Sequence, residues 1–191
     1  MEKGIQVRQE TRFPESESSR FTILATKGEK FSLLLRYPSW AISGVTVKIN
    51  GRVQPVKTLP GNFIPLERKW QKGDVVELSL PMSIKLTPTK DDPKIATIAY
   101  GPILLAGELG KEGLKENAPY ADDQDDLNQL ALPETLKTIL NTGGKKLTEL
   151  IKPANEKSPL TFKLEDASKE VTLIPYYQIH GERYVVYWKL K

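Results

Sequence analysis

The sequence predicts an all-β protein of the sandwich or jelly-roll type, and three observations carry that expectation. Apolar residues recur with period two, glycine turns fall between short apolar runs, and prolines punctuate the runs where strands should end. Val45, Val47 and Ile49 alternate with Thr46, Lys48 and Asn50, and Val76, Leu78 and Leu80 alternate with Glu77 and Ser79. Phe31, Leu33 and Leu35 alternate with Ser32, Leu34 and Arg36. Such spacing sends one face of each strand to a core and the other to water.

The turns follow in order. Lys27-Gly28-Glu29 separates an apolar run at 21–26 from one at 31–36. Asn50-Gly51 follows a clean strand and predicts a tight hairpin, since both residue types tolerate positive φ. Lys72-Gly73-Asp74 predicts another hairpin between 63–66 and 75–80. Pro38, Pro55, Pro60, Pro81, Pro88, Pro93 and Pro102 supply no ladder donor, so they should mark strand ends, edges or bulges.

The pattern breaks after residue 108. The stretch from Gly110 to Ala131 is polar, with Asp122, Asp123, Asp125 and Asp126 clustered, and reads as a long surface connection. That acidic run lacks the alternating oxygens, glycine and terminal glutamate of a calcium loop. Beyond it, 135–140 predicts a strand and 145–151 a single helical piece. Runs at 160–164, 170–175 and 184–190 return to β character, with His180-Gly181-Glu182 as a turn. Two domains are therefore expected, a sandwich over 1–108 and a smaller β-rich module over 109–191.

Composition narrows the chemistry. The 191 residues include no cysteine, so a thiolate nucleophile and zinc–thiolate sites are excluded. The single histidine, His180, rules out a site built from several histidines. It sits in a predicted turn without an evident nucleophile beside it. The net charge of +4 is spread among alternating lysines and acids, a solvated surface and not a nucleic-acid footprint. No apolar stretch approaches the roughly 20 residues of a membrane span. The first residues lead into no apolar run, so no leader is expected there, and compartment stays open. No glycine-rich phosphate loop is present, so no cofactor is expected.

Three aromatic side chains are candidates for contact. Tyr37, Trp40 and Trp70 lie at predicted strand ends beside proline, serine or charged residues. They could stack on sugar rings or pack against another domain. Trp188 alternates with Tyr184 and Val186, which predicts a core position on one strand face.

An ordered series of motifs carries a resemblance. It runs from Leu35-Arg36-Tyr37-Pro38-Ser39-Trp40-Ala41 to Val47-Lys48-Ile49-Asn50-Gly51, then Arg68-Lys69-Trp70-Gln71-Lys72-Gly73-Asp74 and Leu80-Pro81-Met82. Ala99-Tyr100-Gly101-Pro102-Ile103-Leu104-Leu105-Ala106-Gly107 completes it. The series resembles the region that follows the catalytic barrel in glycoside hydrolase family 127, the β-L-arabinofuranosidase-like proteins. The segment from Ile174-Pro175-Tyr176-Tyr177 to Tyr187-Trp188 resembles the extra C-terminal module of many relatives. The resemblance implies a parent whose (α/α)6 barrel holds the catalytic zinc and cysteine, so no catalytic residue or metal ligand carries over to this chain. It implies a non-catalytic scaffold packed on that barrel, in some members contributing to a homodimer; the parent's compartment stays open, with periplasm and secretion as candidates. The alternative expectation is a carbohydrate-binding module that grips glycan itself through Tyr37, Trp40 or Trp70.

Overall fold

The structure, a computed structural model, describes residues 4–112, 139–155, 158–165 and 170–191. It divides into two compact units, Met1–Ser83 and Ile84–Lys191. The acidic run at 122–126 and most of the strand expected over 135–140 lie outside the described residues.

The first unit is a sandwich of unequal layers. One layer orders β1 (Gln6–Thr11), β2 (Ser18–Ala25), β7 (Val75–Ser79), β4 (Thr46–Ile49) and β5 (Arg52–Gln54) as β1-β2-β7-β4-β5. The other is a ribbon of two strands, β3 (Lys30–Arg36) and β6 (Phe63–Lys69), in antiparallel register from Lys30↔Lys69 to Arg36↔Phe63. The inner faces meet in one apolar cluster. Ile23, Val47, Ile49, Val76 and Leu78 come from the wide layer, and Leu35, Ile64 and Leu66 from the narrow one. Leu35, Val47, Ile49, Val76 and Leu78 are positions that the period-two pattern sends inward. Arg52 pairs with Ile49 across the two-residue loop Asn50-Gly51, whose φ values of 50° and 77° are those of a type I′ hairpin.

The second unit is built on one curled sheet. Its strands are β8 (Ile84–Pro88), β9 (Ile95–Tyr100), β10 (Ile103–Glu108), β11 (Ile139–Leu140), β12 (Ile151–Pro153), β13 (Phe162–Glu165), β14 (Glu170–Pro175), β15 (Tyr184–Val185) and β16 (Trp188–Leu190). The main path runs β11-β16-β9-β10-β14-β13-β12, with β8 on β9 and β15 on β10. A four-residue helix, α1 (Leu147–Leu150), lies within the expected helical piece. Ile98, Leu105, Leu140, Leu164, Leu173 and Trp188 anchor the core of this unit.

Three expectations differ from what the structure contains. Lys72-Gly73-Asp74 is a crossover between layers and not a hairpin, because β6 pairs with β3 while β7 pairs with β2 and β4. The division falls between Ser83 and Ile84, and not between 108 and 109. The physical reason is pairing: β9 and β10 look like a continuation of the first sandwich, but their partners are β14, β15 and β16. The last strand is also broken in two. Val185 and Trp188 point to the core while Tyr184 is exposed, so Trp188 does not share a face with Tyr184. Trp188 instead closes over Gly107, where an added Cβ would stand 2.7 Å from the indole ring.

Candidate contact surface

The three aromatic candidates separate once the chain is folded. Trp70 follows β6 directly, and its side chain is fully enclosed. Its indole N–H donates to the Phe31 carbonyl at 3.1 Å, satisfying the one polar atom that burial would otherwise strand. The Arg68 guanidinium lies 5.2 Å from its ring centre. Tyr37 is also a core residue, 7% exposed, and its backbone N–H extends the ribbon by donating to the Asn62 carbonyl at 2.9 Å. Neither presents a surface for a sugar or a partner. Trp40 is half-buried and stacks on Phe13, with centroids 5.9 Å apart and planes at 21°, so it alone of the three reaches the surface.

A polar pin holds the corner beneath Trp70. The Asp74 carboxylate accepts from the Asn50 side-chain amide at 2.8 Å and the Gln71 backbone N–H at 2.9 Å. Arg68 stands 3.7 Å from the same carboxylate. The Asn50 oxygen in turn accepts from the Val75 N–H at 2.8 Å, so the Asn50-Gly51 hairpin is tied to the turn that carries the chain from β6 to β7. Burial alone would raise the Asp74 pKa, but the bonds from Asn50 and Gln71 and the charge of Arg68 outweigh it and hold the group below its ordinary value. These contacts are internal to the first unit.

An exposed apolar patch lies elsewhere, on the outer face of the narrow layer. Leu34 and Phe63 are 56% and 52% exposed. Leu34 pairs with Pro65 and Arg36 with Phe63, so all four share one face. The Arg36 guanidinium caps the Phe63 ring at 5.0 Å. Sequence reading passed over this patch because Leu34 sits on the polar phase of its strand and Phe63 on a strand that begins one residue earlier than the inward pattern. The signal was the run Leu33-Leu34-Leu35, which is apolar on both phases.

In the second unit, Tyr176, Tyr177, Tyr184 and Tyr187 are exposed, and the Tyr176 and Tyr184 rings are tilted at 5.4 Å. Burial, with a smaller contribution from Glu182, raises the Glu108 pKa. His180 is exposed in its turn. Among the described residues, no three His, Cys, Asp or Glu side chains gather as metal ligands, and no helix is long and apolar enough to cross a membrane.

Comparison with known proteins places these features in a context. Residues 1–82 match the model of the Beta-L-arabinofuranosidase, GH127 middle domain, and residues 85–190 match a domain of unknown function. The seam between the two matches coincides with the division at Ser83/Ile84. No curated protein matches the chain. Among solved structures, it is similar to a glycoside hydrolase, at 21% identity and a TM-score of 0.65 over 97% of this chain and 32% of the other. A GH127 beta-L-arabinofuranosidase from Geobacillus Stearothermophilus T6 gives 21% identity and a TM-score of 0.65 over 98% and 31%. A further GH127 beta-arabinofuranosidase gives 21% and 0.63 over 98% and 32%. The chain thus spans about a third of the length of the structures it matches.

Proposed function

We propose, from the premise that the chain belongs to the family of that domain of unknown function and carries ahead of it the GH127 middle domain, that it is the accessory scaffold of a longer glycoside hydrolase. The observation that carries this reading is coverage: the chain matches over 97–98% of itself but only 31–32% of the solved structures. The chemistry of the parent then belongs to a catalytic barrel outside these residues. The scaffold's part is to pack on that barrel, and the Leu34–Phe63–Pro65 face is the surface for it. Apolar patches left open to water commonly mark such contacts.

The placement of Tyr37, Trp40 and Trp70 supports scaffold over glycan capture at those residues. A sugar platform needs an exposed flat ring with polar side chains around it, whereas Trp70 and Tyr37 are spent on the core and Trp40 on Phe13. The isolated chain should turn over none of a panel of aryl arabinofuranosides and related glycosides. The product of the longer reading frame should be active on at least one. Turnover by the isolated chain, lost on a point substitution that leaves its melting temperature unchanged, would refute the scaffold reading. Saturable quenching of tryptophan fluorescence by arabinan oligosaccharides, abolished by Trp40→Ala, would replace it with a carbohydrate-binding module.

A further inference from the structure

We infer that the narrow layer of the first unit is one strand short, and that an extended segment of the parent polypeptide, from outside these 191 residues, completes it along the free edge of β3. The inference rests on the accessory-scaffold reading.

The layers are unequal: five strands face two. The shortfall shows on β1. Val7, Gln9 and Thr11 pair with Ile23, Phe21 and Ser19, so they lie on the face of the sheet that elsewhere forms the core. Every residue of β1 is nevertheless exposed, because among the described residues no strand of the second layer stands opposite it. Between that face and β3 runs a groove of about 460 Å³. Its lining includes Gln9, Thr11 and Phe21 from one side and four consecutive residues, Leu33–Arg36, from the other. Consecutive residues of a strand point to opposite faces, so a groove that touches all four is bounded by the strand's edge.

The hydrogen-bond phase says which groups that edge offers. Tyr37 directs its N–H at the facing strand, bonding to Asn62. In an antiparallel ladder this direction alternates, so Leu33 and Leu35 face β6 while Ser32, Leu34 and Arg36 face away. Among the described residues no strand pairs with that second edge. The opposite edge of the ribbon is closed chemically. Pro65 pairs with Leu34, so the donor it lacks is one that would have pointed outward from β6. A proline blunts one edge of the ribbon and none blunts the other. At about 3.3 Å per residue, Leu33–Arg36 offers some 13 Å of ladder, room for about four added residues. The occupant should alternate, with apolar side chains directed at Phe21 and Leu80, which line the groove. A parent segment is the fitting source, since the structures this chain matches hold about twice its length in further polypeptide. The exposed Leu34 and Phe63 border the same groove, so strand and face form one continuous contact.

Hydrogen exchange resolved to single residues tests this, comparing the 191-residue chain with the product of the longer reading frame. The Leu34 and Arg36 amides should exchange slower by about tenfold or more in the longer protein, while Leu33 and Leu35 are protected in both. Equal exchange at Leu34 and Arg36, with new protection elsewhere on the unit, would overturn the added strand and leave the scaffold reading standing. A reading frame that encodes nothing besides these 191 residues would end both. Protection that appears in the isolated chain only on raising its concentration would make the occupant a second copy and overturn the assignment. Leu34→Pro removes the groove-facing donor without touching the ladder to β6, and should abolish the protection at Arg36. Should that variant fail to fold, Thr11→Trp fills the groove from the opposite layer and should have the same effect; retained protection in Thr11→Trp would contradict the inference.

Discussion

Trp40 and Trp70 show how residues of one type in similar sequence settings take different parts. Trp70 directly follows β6 and Trp40 lies four residues past β3, both near charged or small residues, yet Trp70 is sealed in the core and Trp40 lies against Phe13 at the surface. Trp70→Ala should therefore lower stability by about 3–5 kcal/mol, the range for emptying a large aromatic site. Trp40→Ala should cost well under half of that, and thermal melts of the two variants will separate them. Asp74 carries a second expectation. Its folded pKa lies below the ordinary 3.8, so its stabilising contribution is present above that value and is lost as pH falls through the depressed folded pKa. Asp74→Ala should cost about 1–3 kcal/mol at pH 7, because the Asn50 and Gln71 donors lose their acceptor. The gap between variant and parent should narrow below about pH 4, as read from melts across an acid series.

At the scale of elements, the Asn50-Gly51 turn does two jobs. It closes β4 on β5, and through the Asn50 side chain it holds the start of β7. Gly51 has φ 77°, a region where a β-branched residue fits poorly. Gly51→Val should destabilise the first unit by about 1 kcal/mol or more, and Gly51→Asn by less, since asparagine tolerates left-handed backbone. An unchanged melting temperature in the valine variant would show that the turn contributes nothing to stability.

At the scale of the whole chain, strand pairing decides where one unit ends. A fragment of residues 84–191 keeps β8, β9 and β10 with their partners, and should melt cooperatively. A fragment of 109–191 loses Ile98 and Leu105, both fully buried in its core, and exposes the edges of β14, β15 and β16. It should show no cooperative transition in calorimetry. A sharp transition from 109–191 would mean that β8–β10 are dispensable to the second unit.

Much of the architecture was legible from the chain alone, because it is written in local rules. The period-two runs at 31–36, 45–49 and 76–80 depend on which face meets water, and the Asn50-Gly51 turn depends on two residues' backbone preferences. The ordered motifs carried the family resemblance in the same local way. What the tertiary structure decided is everything that depends on partners distant in sequence. β9 and β10 could have paired with either unit, and only the register with β14, β15 and β16 assigns them. Trp70 and Trp40 are equivalent until a neighbouring layer covers one of them. The exposed Leu34–Phe63 face and the edge of β3 that no strand among the described residues pairs are mismatches between layers, and a mismatch has no local signature. It exists only where a five-stranded sheet meets a ribbon of two.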